Sequence, residues 1–380
     1  MASSRLTRVE ESATMKAANV ANKMRQEGID VISFTLGEPD FDTPKHICDA
    51  AADAMYRGET HYAPGAGIPE LKNAIAEKLC TENKLEAKAS DIVVTPGAKQ
   101  AIFEIMMSVL DDNDEAVLFD PAWVSYDPAI KFAGANTTWV PTDPEDGFKP
   151  ENIEEYITDK TKLIVVNSPG NPTGAVYDKQ TLKNIADIAI DNDILVLSDE
   201  IYEKIIYDQK HVSIGSFDGM QDRTITVNGF SKAYAMTGWR LGYVHARPDI
   251  IKGMLKIQSH SVSSATSFVQ YGGIAALEGP QEPVTEMVDR FRMRRDLLVD
   301  GLNDIDIKCQ KPGGAFYAFA DVSEYGDGNT VSEKLLMDAH VAVTPGSAFG
   351  ESGRNFIRIS YATSIERIQE GLERIKTALV

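Results

Sequence analysis

From about residue 45 to residue 250, short β-branched or apolar runs alternate with stretches of helical periodicity. No other feature of the sequence constrains the fold as tightly. The strand candidates are Ile92–Thr95, Ala116–Phe119, Thr137–Val140, Leu163–Val166, Ile194–Leu197, Thr224–Val227 and Leu241–Val244. Between most of them apolar residues recur at three- and four-residue spacing, as in Lys99–Leu110 and Leu182–Ile190. Strands alternating with helices imply a mostly parallel sheet with helices on both faces. Leu163, Ile164, Val165 and Val166 form an apolar run without alternation, as a strand buried on both sides should. The expected fold is α/β, built on a mostly parallel seven-stranded sheet.

A chain of 380 residues exceeds what one hydrophobic core usually organises. After about residue 285 the texture changes. A charged amphipathic segment, Pro283–Asp304, leads into shorter strand candidates at Ala315–Phe319, Val341–Val343 and Phe356–Ser360, then a last helix near Ser364–Leu379. The first forty residues are too few to fold alone and are expected to pack on this part. Two domains are expected: a large one over 45–284, and a smaller, discontinuous α+β one from 1–44 plus 285–380.

The net charge of −19 argues against nucleic acid as a partner, because phosphate contacts need clustered Lys and Arg. No window approaches the roughly 20 apolar residues of a membrane helix. The amino terminus has no apolar core, so it reads as neither signal nor transit peptide, and a cytoplasmic location is expected. Cys48, Cys80 and Cys309 fit no disulfide framework and no zinc spacing, and read as small buried hydrophobes. The six histidines form no metal-binding pattern. If the substrate is anionic, so acidic a protein must concentrate positive charge in its site.

Ligands of open parallel sheets bind outside the carboxyl ends of the strands. After Ile92–Thr95 comes Pro96-Gly97-Ala98-Lys99-Gln100, a small-residue helix start able to receive an anion, though such turns are common. After Leu163–Val166, two prolines and two glycines in Asn167–Gly174 fix an irregular loop that projects Asn171; alone it reads as a plain turn. Asp199, ending the next strand, is either a helix N-cap or a buried carboxylate that needs a partner. Lys232 follows Thr224–Val227 among small and apolar residues, where desolvation would free its amine as a nucleophile. Arg240, eight positions on, could meet a phosphate with its planar fork.

Together the four loops offer a nucleophilic lysine, an aspartate, an asparagine, an anion-binding helix start and an arginine. Pyridoxal 5'-phosphate asks for that set: a lysine for its aldehyde, a carboxylate for its pyridine nitrogen, a helix start and an arginine for its phosphate. Asn167–Gly174, Ser198–Tyr202 and Ser231–Arg240 resemble the fold-type I, class I aminotransferases, with wording close to bacterial and archaeal aspartate aminotransferases. Leu36–Pro44, Tyr62–Leu71 and Ile357–Thr363 share the likeness, which covers nearly the whole chain.

The resemblance implies a role for each matching position. Lys232 matches the lysine that bonds to the cofactor and moves the proton at the substrate Cα. Asp199 matches the carboxylate that keeps the pyridine nitrogen protonated. Tyr202 and Asn171 match the pair on the ring hydroxyl, and Trp123 the aromatic lying on the ring. Gly97, Ala98, Ser231 and Arg240 match phosphate positions. Tyr62 matches a tyrosine that reaches the phosphate of the neighbouring subunit, which implies a homodimer with shared active sites. Arg358, set among Phe356, Ile357 and Ile359, matches the clamp on the substrate α-carboxylate, assisted by the backbone of Gly37.

For the substrate side chain, animal-type aspartate enzymes use a second arginine from the partner subunit, and the stretch 258–268 has none. In the subgroup resembled here Lys99 substitutes, while Ser12 and Thr14 belong to an N-terminal segment that closes over the side chain. The implied reaction is ping-pong transamination through a Schiff base, with aspartate and 2-oxoglutarate the leading pair. Prephenate, aromatic amino acids or alanine, or a lyase reaction on the same scaffold, are the alternatives. A cofactor-reading transcription regulator would need a basic DNA-binding domain before residue 40, and none fits. A nucleotide-binding oxidoreductase would need G-x-G-x-x-G in its first βαβ unit, and would leave Lys232 unexplained.

Overall fold

The computed structural model describes residues 4–9 and 13–380. After a helix over Ala13–Gln26 comes a two-residue strand, β1 (Ile32–Ser33). Eight later strands share one sheet: β2 (Ile92–Thr95), β3 (Glu115–Asp120), β4 (Asn136–Asp143), β5 (Lys149–Pro150), β6 (Thr161–Asn167), β7 (Leu195–Asp199), β8 (Thr224–Gly229) and β9 (Gly242–His245). Their order is β2-β9-β8-β7-β6-β3-β4-β5. From β8 through β7, β6 and β3 to β4 the pairings are parallel, and β9 runs antiparallel to both β8 and β2.

All seven expected strands are present. The eighth, β5, is a two-residue antiparallel strand on the edge next to β4. It shows no alternation in the sequence, and its Pro150 lacks a ladder donor, which an edge tolerates.

Strand β6 shows why its sequence is apolar without a break. Leu163 and Val165 pack into one core with Val93, Leu118, Leu197 and Val227. Ile164 and Val166 pack on the opposite face with Val117, Phe119 and Val196. Successive side chains point to opposite faces, so a sheet covered on both sides needs apolar residues at every position.

Beyond a helix over Glu282–Asn303 lie β10 (Tyr317–Asp321), β11 (Val341–Ala342), β12 (Thr344–Pro345) and β13 (Phe356–Ser360). β13 runs between β10 and β12, antiparallel to both, while β11 pairs in parallel with β1. The strand expected from Ala315 starts at Tyr317, because Ala315 has a left-handed φ of 55° that no strand accommodates. The strand expected over Val341–Val343 ends at Ala342, since the chain leaves β1 there and joins β13 from Thr344.

The N-terminal segment meets the last helix, Ile365–Leu379, through Phe34; a Cβ on Gly371 would lie 2.4 Å from that ring. Among the described residues no helix is long and apolar enough to cross a membrane. The cysteine expectation needs correction: Cys309 is buried, but Cys48 and Cys80 are exposed. Cys48 falls off the buried stripe of its helix, which is formed by Ile47, Ala51 and Ala54.

Candidate active site

The carboxyl ends of β2, β6, β7 and β8 converge on one cavity of about 420 Å³, walled on the far side by the Thr35–Glu38 segment, Tyr317 and Arg358. At the end of β2, Gly97 (φ 86°) caps the helix Ala98–Val109. A Cβ on Gly97 would stand 2.7 Å from Arg240 Nη2, so only glycine lets this backbone lie against the guanidinium. Gly242 has the same function on β9, where a Cβ would be 2.6 Å from the Ala98 amide. Arg240 is fixed by donating to the Thr237 carbonyl (2.7 Å). Ser231 lines the same wall and is buried. Backbone N–H groups at a helix start beside an arginine make an anion cradle.

Asp199 ends β7 and is buried. Its Oδ2 accepts from the Tyr126 hydroxyl (2.7 Å) and its Oδ1 from the Ile201 amide (3.2 Å), while Asn167 Nδ2 donates to its carbonyl (3.0 Å). Burial outweighs these bonds and pushes the carboxyl up to about 6. Such a group is suited to a cationic ring nitrogen arriving from the cavity. Lys232, just past β8, donates to the Gly37 carbonyl, and burial lowers its amine to about 8. Arg240, Arg358 and Lys99 push in the same direction and Glu38 opposes them.

Arg358 sits in the middle of β13, opposite Phe319 and Thr344, and is 3% exposed. Its guanidinium donates to Asn171 Oδ1 (3.0 Å) and the Thr35 carbonyl (2.9 Å), between the rings of Tyr317 and Phe349. Its Nε is buried without a partner. Lys99 is exposed, with its ammonium 4.9 Å from the centre of the Trp123 ring. Partial burial, then the charge of Arg240, lower its pKa. Lys99, Lys232, Arg240 and Arg358 all line the cavity, and among the described residues none has a carboxylate within ion-pair distance. Arg358 is buried without an anion, which is costly, so this end of the cavity is built for one.

Gly37, Ala98, Lys99, Trp123, Asn171, Asp199, Tyr202, Ser231, Lys232, Arg240 and Arg358 thus line one space, with Gly97 against Arg240. A side chain on Gly37 would crowd the Tyr317 hydroxyl at 3.1 Å. Tyr62 is not brought there: it is 95% exposed and outside the cavity. Ser12 lies outside the described residues, and Thr14 falls in the helix Ala13–Gln26. Sequence reasoning missed Tyr126, which holds Asp199, and Tyr317, whose hydroxyl is 3.0 Å from that of Tyr202. It also missed Asn167, whose Oδ1 accepts from the Asn171 amide (2.9 Å) and so seats that side chain.

Residues 29–375 match the aminotransferase class I and II family. The chain belongs to that family. This aminotransferase is 47% identical, over 99% of both chains, to a probable aspartate aminotransferase of Methanocaldococcus jannaschii. It is 48% identical to a probable aspartate/prephenate aminotransferase of Aquifex aeolicus, over 99% of this chain and 98% of the other. The solved aspartate aminotransferase of Thermus thermophilus with maleate covers all of this chain, as this chain covers it, at 42% identity and a TM-score of 0.97. Aminotransferases of this family depend on pyridoxal phosphate. The aminotransferase site fits that group on its own terms. The Gly97 cradle suits a phosphate, the raised Asp199 carboxyl suits a protonated ring nitrogen, and the lowered Lys232 amine suits an aldehyde.

Proposed function

We propose that this aminotransferase moves the amino group of aspartate to 2-oxoglutarate, as a homodimer. The observation that carries this reading is the pair of unneutralised cations, Arg358 and Lys99, that line one cavity in a protein of net charge −19. Arg358, aided by Asn171 and the Gly37 backbone, takes the α-carboxylate; Lys99 takes the distal one. The relatives named above support a dicarboxylic substrate, and maleate in the Thermus enzyme is itself a dicarboxylate. The apolar wall of Ile102, Trp123 and Val124 beside Lys99 would also admit the ring of prephenate.

Gly97, Ala98, Ser231 and Arg240 would hold the cofactor phosphate, Asp199 the ring nitrogen, Tyr202 and Asn171 the ring hydroxyl, Trp123 the ring face and Lys232 the aldehyde. Bound there, pyridoxal phosphate supplies an aldehyde for the amino group and a ring that withdraws negative charge from Cα. The chain's own contribution is threefold. Arg358 and Lys99 orient the substrate, the Lys232 amine carries the proton at Cα, and Asp199 holds the proton on the ring nitrogen. The exposed Tyr62 would complete the phosphate site of a partner subunit. Residues 45–284 would form the cofactor domain and the remainder the smaller one.

Lys99→Ala tests the substrate assignment. Removing one partner of a desolvated charge pair typically costs several kcal/mol. The variant should therefore lose on the order of 10² in kcat/KM for aspartate and 2-oxoglutarate, each ~1.4 kcal/mol being tenfold. Alanine, with no distal charge, should change little. Equal losses on both donors would place Lys99 in the phosphate loop instead, and no loss would mean another residue reads the side chain.

A further inference from the structure

A second group of ionisable side chains lies behind the Asp199–Tyr202 turn. Asp199 and Tyr202 line the cavity; Glu200 and Glu203 do not. Glu200 Oε1 accepts from Ser198 Oγ (2.9 Å) and Ser213 Oγ (2.6 Å), and its Oε2 from Asn83 Nδ2 (2.8 Å) and His211 Nε2 (2.9 Å). Glu203 accepts from Lys78 Nζ at one oxygen and from Asn83 Nδ2 (2.7 Å) at the other. Glu200, Glu203 and His211 are close enough to ligate an ion, but every carboxylate oxygen already takes a protein donor. A metal would have to break that network.

The charge count is more informative. Two buried carboxylates face one ammonium, so the cluster is neutral only when His211 carries a proton. Because a carboxylate can only accept, His211 Nε2 is the donor in its bond to Glu200. We propose that Lys78, Asn83, Glu200, Glu203 and His211 form a positioning network for transamination, which in its neutral, His211-protonated state fixes the turn presenting Asp199 and Tyr202 to the cavity. The link is short: Glu200 and Glu203 are chain neighbours of those two residues, and the Glu203 amide donates to the Glu200 carbonyl (2.9 Å). This rests on the reading of Asp199 and Tyr202 as cofactor residues.

The other groups facing the cluster leave its charge to His211. Glu82 sits 3.8 Å from Lys78 and is paired with Lys204. Burial raises the pKa values of Tyr234 and Tyr243, keeping them neutral, and burial lowers that of His245. For His211, burial alone would lower the pKa, but Glu200 and Glu203 raise it overall. A group whose pKa is raised by folding stabilises the fold below its unfolded value, and that gain is lost as pH climbs through the folded value.

His211→Gln keeps a donor for Glu200 and removes the charge. The kcat and KM of the holoenzyme, read on whichever amino donor turns over fastest, and the Tm of the cofactor-free protein should be followed from pH 6 to pH 9. At the acid end kcat should be about tenfold below wild type, equivalent to ~1.4 kcal/mol, with KM within about twofold, since Arg358 stands on another strand. Both the kcat deficit and the Tm deficit should close as pH rises. A deficit equal at every pH, a KM change matching that in kcat, or no deficit would overturn the proposal. If that variant fails to fold, the double replacement Glu200→Gln with His211→Gln removes both charges together. It should fold with kcat within about twofold of wild type at pH 6, where both networks are neutral, and a tenfold deficit there would overturn the proposal. Reading the fastest donor separates this test from a wrong assignment of aspartate, and Asp199→Asn tests the underlying reading independently.

Discussion

Lys232→Ala should abolish transamination while the fold and its thermal stability remain nearly unchanged. The amine is held at about 8, so near that pH about half of it is free base, against almost none for an ordinary lysine. It lies against the Gly37 carbonyl on the substrate side of the cavity and within 6.0 Å of the Tyr202 ring centre. Lys99 also follows a buried strand of the sheet, but its ammonium lies over the Trp123 ring. A positioned acid/base contributes up to about 10⁴-fold, and kcat should fall by at least that factor. Stability should survive because the lysine side chain borders the cavity. Truncation therefore enlarges an existing space and creates no closed void in the core. Steady-state rates without added amine, beside a melting curve, check this; retention of more than a few per cent of turnover would remove Lys232 from the chemistry.

Asp199→Asn should separate activity from stability. Burial holds the carboxyl at about 6, above the usual carboxylate range. Ionised Asp199 therefore costs the cofactor-free protein stability, fully so above pH 6, and the cost disappears as pH falls below the unfolded value. An amide removes that cost while still able to accept from Tyr126 or Ile201. The cofactor-free variant should thus be as stable as wild type at pH 7.5, or more so. Its kcat should nevertheless fall on the order of 10²–10³-fold, because a charge placed for the transition state is gone. Melting curves with and without cofactor, alongside kcat at saturating cofactor, decide it. Normal turnover in the saturated variant would show that Asp199 serves only to bind the ring.

Much of this was readable in the sequence because it is local. Seven of the eight sheet strands announce themselves by short β-branched or apolar runs, and the residues that follow β2, β6, β7 and β8 were identifiable as what comes after a strand. Asp199, Asn171, Lys232 and Arg240 were located in that way, and their roles came from the four loops taken together and from the family resemblance. Tyr126 and Tyr317 were not legible, since their partners Asp199 and Tyr202 lie 73 and 115 positions away and no periodicity marks such a pairing. The network of Lys78 and Asn83 with Glu200 and Glu203 was hidden for the same reason. Read alone, Glu200 and Glu203 are ordinary charges near a strand end. Ala315 departs from its apolar run through a left-handed backbone imposed by its surroundings, a case of tertiary context overriding propensity. Tyr62 was named by resemblance alone, and in the single chain it stands 95% exposed, outside the cavity.

That this cavity binds pyridoxal phosphate through Lys232 is checked by reducing the cofactor-loaded protein with borohydride, digesting it and mapping the phosphopyridoxyl group by mass spectrometry. The expected result is one modified residue, Lys232, with the modification blocked by prior addition of substrate. An adduct on Lys99 or on any other lysine, or a protein that takes up no cofactor, would contradict it.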